Sequence, residues 1–135
     1  MFELGIYSAI APFVLLLLSS VWSYPAVLEE VVKWGILRLS TDSQLLTVKH
    51  GALVGIVFGL SEAVLFSSNA WMSGDWSSMV SRLLLTVPMH AATGTITAWG
   101  IPLRSNELRR DAVVRQLVCL AIAMGIHGVF NNFVK

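Results

Sequence analysis

The chain has 135 residues, 56% of them hydrophobic and 13% charged, with a formal net charge of +1 and a mean hydropathy of +0.74. A soluble domain of this size carries roughly twice that share of charge, so water is not the main solvent, and the near-neutral balance excludes a basic nucleic-acid-binding surface. Cys119 is the single cysteine, which excludes an internal disulfide and a thiolate metal cluster. No Pro/Gly/Ser-rich linker, internal repeat or low-complexity segment separates the apolar stretches, and residues 1–135 read as one domain.

A helix needs roughly 20 apolar residues to cross a hydrocarbon core, and its backbone polar groups must be satisfied within the segment. Phe2 to Trp22 is the first such run. Glu3 stands where a secretory signal would carry Lys or Arg, so the run is expected to be a retained helix with Pro12 as a kink site. A shorter helix, Ala26 to Leu39, follows Tyr24-Pro25, with Pro25 suited to the first turn. It keeps helical apolar spacing through Leu28, Val31, Val32, Gly35, Ile36 and Leu39, yet also holds Glu29, Glu30 and Lys33.

Three long runs complete the pattern: Val48 to Ala70, Met79 to Gly100 with Pro88 inside it, and Ala112 to Val134. In the first of these, Gly51, Gly55 and Gly59 recur every four residues and Ala63 continues the row, a ridge that lets another helix come close to Glu62. The expected fold is all-α, a polytopic transmembrane bundle of about five helices.

Lys and Arg mark the short cytoplasmic loops of membrane proteins. Arg38 and Lys49 flank one connection, and Arg104, Arg109, Arg110 and Arg115 cluster around another, whereas Ser23–Tyr24 and Trp71–Ser78 carry neither residue type. A cytoplasmic N-terminus in the plasma membrane satisfies this pattern. Trp71 and Trp76, with Trp22, Trp34 and Trp99 near predicted helix ends, suit an interfacial aromatic belt.

Ionisable groups at membrane depth are costly and point to function. Counted at 1.5 Å per residue from each cytoplasmic helix end, Glu29 and Glu30 lie about 14 Å deep, Glu62 about 21 Å, His90 about 15 Å and His127 about 22 Å. Four helices thus contribute to one polar layer. Glu29 and Glu30 cannot both ionise cheaply side by side, which suits one of them to proton transfer as a general base. Lys33, at i+4 from Glu29 and i+3 from Glu30, is placed to pair with one and leave the other. The plain alternative is a helix ion pair.

Glu62, His90 and His127 supply the oxygen and nitrogen ligands of a catalytic zinc ion with an open fourth position for water. No HExxH pair is present, and a metal-free variant has glutamates activating the water while His127 and Asn131 stabilise the oxyanion. His127 and Asn131 share a helix face, and Gly125 and Gly128 are expected to permit close backbone approach there. Arg82, Thr86 and His90 share another face, with Arg82 placed to snorkel toward the outer interface.

The blocks Glu29-Glu30-x-x-Lys33, Gly55-x-x-Phe58-Gly59-x-x-Glu62, Arg82 with Pro88-Met89-His90, and His127-x-x-x-Asn131 together resemble the PrsW family of intramembrane proteases. That family is grouped with the CAAX prenyl endopeptidases and bacteriocin-processing proteases. The resemblance implies a polytopic protease that cuts membrane-associated proteins, in the best-known bacterial case an anti-sigma factor. It assigns Glu29 and Glu30 to the paired glutamates, Lys33 to the following base, Glu62 to the acid after the Phe-Gly step, and His90 and His127 to the two histidines. It also implies metal dependence, with a glutamate-activated water as the metal-free route. The expected partners are membrane lipid and a membrane-associated protein or peptide substrate. Two rivals compete with a protease: a small transporter or ion-binding protein using buried Glu and His as a relay, and a non-catalytic scaffold subunit. A hydrolase needs these side chains within reach of one another, whereas a relay strings them across the membrane.

Overall fold

The computed structural model of the chain describes residues 2–19, 24–39, 48–102 and 109–133, and its elements are five helices. They are α1 (Phe2–Ser19), α2 (Pro25–Leu39), α3 (Val48–Ser73), α4 (Trp76–Gly100) and α5 (Arg109–Phe133). Helix α3 and the stretch Arg110–Phe133 of α5 are each long and apolar enough to cross a membrane. Trp22, Arg104 and Val134 lie outside the described residues.

The glycine row of α3 makes the most extensive helix contact. A Cβ on Gly51 would strike the Gly94 carbonyl and the Ala98 side chain, one on Gly55 would strike the backbone of His90, and one on Gly59 would lie 2.9 Å from the Val87 Cα. Only hydrogens at these positions let the α4 backbone lie in the groove, so the ridge sets the register of the hairpin. Gly125 and Gly128 behave differently from expectation. An added Cβ there meets nothing within 4 Å, because neither residue lies at a helix crossing.

The connection expected over Trp71–Ser78 contracts to a tight turn. Helix α3 runs on to Ser73, and Gly74, at a φ of 73°, ends it in the left-handed conformation. The Gly74 N–H bonds to the Trp71 carbonyl at 3.4 Å and the Asp75 N–H to the Ala70 carbonyl at 3.1 Å, the paired bonds that close a helix at a glycine. Helix α4 then starts at Trp76, three residues before the expected Met79, and the preceding Asp75 accepts at Oδ1 from Ser77 Oγ at 2.7 Å. Trp71 and Trp76 pack edge to face across the turn at 4.9 Å. At the opposite end of α4, Gly100 packs against Cys119 and Gln116 of α5, and the Arg115 Nε donates to the Gly100 carbonyl at 3.5 Å.

The interior divides into two parts. An apolar core joins α1, α2, α3 and α4 through Leu4, Ala11, Leu15, Ile36, Leu37, Val54, Phe58, Ala98 and Ile101. The seam between α2, α4 and α5 is instead polar. Outside, large aliphatic side chains cover α5 at Val114, Leu117, Val118, Ile122 and Val129, a surface suited to hydrocarbon. Trp71, Trp76 and Trp99 are exposed near helix ends, but Trp34 departs from the expected belt: its ring packs on the apolar core with Nε1 buried. Its position four residues from Glu30 puts it on that glutamate's inward face.

Gly55→Val drives two methyls into the His90 backbone, and its stability loss is expected to reach about 3 kcal/mol or more. Gly125→Ala is expected to be neutral within about 0.5 kcal/mol, since that site faces open space. Thermal unfolding of both variants in detergent checks this; similar melting temperatures for the two would contradict the packing role of the ridge.

Candidate active site

Helix α2 is short, and Pro25 starts it where the Tyr24 carbonyl accepts the first turn's bond from the Val27 N–H at 3.2 Å. Its second turn therefore delivers Glu29, Glu30 and Lys33 against α3, α4 and α5. Lys33 is fully buried and spends its ammonium hydrogens on three acceptors. It donates to Glu30 Oε1 at 2.5 Å, Thr93 Oγ1 at 2.8 Å and His90 Nδ1 at 2.9 Å, and sits 5.3 Å from the centre of the Phe58 ring. Thr93 passes the chain on by donating to the His90 carbonyl at 3.2 Å.

Glu30 Oε1 also accepts from His127 Nδ1 at 2.8 Å, so one buried carboxylate joins α2 to α5. With that ring donating from Nδ1, His127 presents a lone pair at Nε2. This atom lies 3.5 Å from Glu29 Oε2, and neither has a hydrogen-bond partner among the described residues. His90 Nε2 bonds to Glu62 Oε2 and is 3.9 Å from Glu29 Oε2. The two imidazole rings meet edge to face at 4.8 Å.

Glu30, Lys33, His90 and His127 are sealed from solvent, whereas the side chains of Glu29 and Glu62 keep 14% and 18% exposure. The mouth of the cluster is therefore carboxylate and its floor is a locked ion pair. One ligand atom each from Glu29, His90 and His127 falls within 4.8 Å of the others, close enough to share a metal ion. Glu62, expected among the metal ligands, is not in this group, where Glu29 takes its place; the Glu62 carboxylate bonds instead to His90 Nε2. Asn131 lies one turn beyond His127 and is half-buried, with no hydrogen bond to the cluster among the described residues. Arg82 makes no hydrogen bond to the cluster among the described residues, and its guanidinium lies 4.7 Å from the centre of the Phe66 ring.

Thr93 and Phe58 were not singled out as site residues by sequence reasoning. Thr93 is three residues from His90, which places it near the same face, but nothing local marks its partner sixty residues earlier. Intramembrane hydroxyls here bond mainly within their own helix: Ser8 to the Leu4 carbonyl at 2.7 Å, Ser61 to Val57 at 2.9 Å and Ser67 to Ala63 at 2.6 Å.

A buried, polar, four-helix cluster of carboxylates and imidazoles inside a lipid-facing bundle defines a membrane protein with a hydrolytic type of centre. The family model for the PrsW family intramembrane metalloprotease matches residues 4–135, and the chain belongs to that family. It is accordingly an intramembrane protease. Neither curated proteins nor solved structures give a match.

Lys33→Met strands Glu30 in the interior without its cation and is expected to cost about 3–5 kcal/mol. Glu29→Gln leaves that ion pair whole and is expected to cost about 1 kcal/mol or less. Chemical unfolding of both purified variants compares the two; equal losses would mean that the ammonium does not tie the helices together.

Proposed function

We propose that the chain hydrolyses a peptide bond of a membrane-associated protein substrate, with Glu29 as the general base. The observation that carries this reading is the pair of partnerless buried atoms, Glu29 Oε2 and His127 Nε2, 3.5 Å apart on different helices. Both are acceptors, and together they suit a water molecule that donates to each. Glu30 is tied through Oε1 to Lys33 and His127 and is sealed from solvent, whereas Glu29 has no such ion pair and keeps 14% exposure at the mouth, which makes Glu29 the carboxylate better suited to take a proton.

In this reading the water oxygen attacks the scissile carbonyl carbon while Glu29 accepts the proton it loses. As the tetrahedral carbon collapses, the C–N bond breaks and Glu29 returns a proton to the leaving amine. In the same reading the Asn131 amide, one helical turn beyond His127 on α5, donates to the carbonyl oxygen as charge develops there. Glu30 holds the His127 ring by its Nδ1, and Lys33 holds Glu30.

The donor set also fits a divalent metal such as zinc. Glu29, His90 and His127 would hold it, with Glu62 beside His90, and a donor set of two imidazoles and a carboxylate is one that zinc accepts. When bound, the ion would polarise the carbonyl and acidify the water. Clustering at one depth favours hydrolysis over a proton or cation relay, whose groups would be spaced across the bundle. The basic ends of α2 (Arg38), α3 (Lys49) and α5 (Arg110 and Arg115) lie together at the end of the bundle where α4 stops, which supports a cytoplasmic placement of that end.

Purified protein in nanodiscs, incubated with a panel of membrane-spanning peptides, is expected to cleave at least one of them. Glu29→Gln should lower kcat by roughly 10²–10⁴-fold while keeping the melting temperature within a few degrees. Absence of cleavage across a broad panel would count against the proposal. Metal analysis of the same samples separates the two routes: one zinc per chain, lost in His127→Gln, marks the metal-assisted one.

A further inference from the structure

Three buried polar atoms outside the cluster have no hydrogen-bond partner among the described residues: Trp34 Nε1, Thr97 Oγ1 and Gln116 Nε2. They come from α2, α4 and α5, the three helices that form the polar seam. Each repeats the face of a site residue on its own helix. Trp34 is four residues beyond Glu30, Thr97 seven beyond His90, and Gln116 eleven before His127, all whole turns of a helix within a fraction of a residue.

At 1.5 Å per residue these positions lie about 6, 10 and 16 Å below the cluster. They descend toward the end where α4 stops, since the Gln116 backbone lies against Gly100. Along the bundle axis the successive steps are about 4–6 Å, so the three positions follow one another down the seam about one helical turn apart. Thr97 is the informative member. It is 1% exposed, and unlike Ser8, Ser61, Ser67 and Thr93 it makes no bond to a carbonyl of its own helix. Its neighbour Ala98 faces the apolar core, which leaves Thr97 turned to the seam.

We propose that Trp34, Thr97 and Gln116 line a narrow hydrated path from the carboxylate–histidine cluster to the end of the bundle where α4 stops and α5 begins. Buried polar groups take partners, and a polar seam with donors at regular intervals is where water is held. The path supplies water to the floor of the site while a substrate segment covers the mouth at Glu29 and Glu62. That last use rests on the proteolytic reading; the path itself does not.

The test uses single cysteines in full-length protein carrying Cys119→Ala, reconstituted in nanodiscs and exposed to a small charged methanethiosulfonate. Thiols react as thiolates, which form in water and not in packed hydrocarbon, so Thr97→Cys and Gln116→Cys should label roughly tenfold faster than Val54→Cys or more. Val54 is the control because it is 1% exposed in the apolar core, on the far side of α4 from the seam. Labelling of Thr97→Cys no faster than Val54→Cys would overturn the path, and a reactive Thr97→Cys beside an inert Gln116→Cys would overturn its direction. Hydroxyl-radical footprinting of the unaltered protein guards against a misfolded variant. Trp34 should be oxidised faster than Leu28, which is likewise half-buried against the apolar core on the same helix, after correction for intrinsic reactivity, and equal rates would also overturn the path. No peptide enters either measurement, so a dry seam and an inactive enzyme are separate failures.

Discussion

The structure depends on one buried ammonium. Lys33 has three hydrogens and reaches three acceptors, Glu30 on its own helix and His90 and Thr93 on α4. Removing such a charge from water is costly, and only complete satisfaction of its donors makes the burial tolerable. That requirement works as a lock. If α2 slid by one residue along α4, about 1.5 Å, at least one of the three bonds would be lost with nothing to replace it. Through the shared Glu30 oxygen the same lock extends to His127, so three helices are registered by two side chains on one turn of α2.

The glycine ridge of α3 and this lock meet at a single residue. The backbone of His90 is what the hydrogen of Gly55 makes room for, and the side chain of His90 spans the gap from Lys33 to Glu62. Packing and chemistry are therefore not separable at this turn of α4. A larger residue at position 55 would displace the imidazole by moving its backbone, without touching a polar group. Pro88, two residues earlier, cannot donate to the carbonyl one turn back, so the helix is locally freer to adjust where the fit is tightest.

Much of this is written in local pattern. Helical spans follow from runs of apolar residues, the hairpin crossing follows from glycines four apart, and the polar layer follows from counting residues from helix ends. What local pattern does not encode is which carboxylate meets which imidazole. Glu29 and Glu30 are neighbours in sequence, and only the 100° rotation between them sends one to the Lys33–His127 lock and leaves the other facing the mouth. Glu62 looked equivalent to them by depth, yet it reaches the cluster by way of His90. Trp34 was misplaced for a related reason: tryptophans near helix ends go to the interface in most bundles, but the helix face it shares with Glu30 takes this one inward. Gly125 and Gly128 show the converse, small residues with no neighbour to admit.

Peptide hydrolysis inside a bilayer sets two opposed demands, a water-excluding wall that keeps charges strongly coupled and a supply of water to the reacting atoms. The bundle answers them on different sides. Helix α1 contributes Leu4, Ala11 and Leu15 to a core shared with α2, α3 and α4, which backs the ion pair with hydrocarbon at Phe58 and Leu37. Helix α5 faces α2 and α4 across polar positions instead, and its outer surface is aliphatic. The short α2 has a place in both, with Ile36 and Leu37 in the apolar core, Glu30 on the polar seam, and Trp34 at the boundary, its ring on the core and its Nε1 buried without a partner among the described residues. A helix of 15 residues can carry a charged turn to this depth because its longer neighbours, 26 residues in α3 and 25 in α4, supply the surrounding wall. The helix most densely charged, with Glu29, Glu30, Lys33 and Arg38 in 15 residues, is thus the one most enclosed by longer neighbours rather than by lipid.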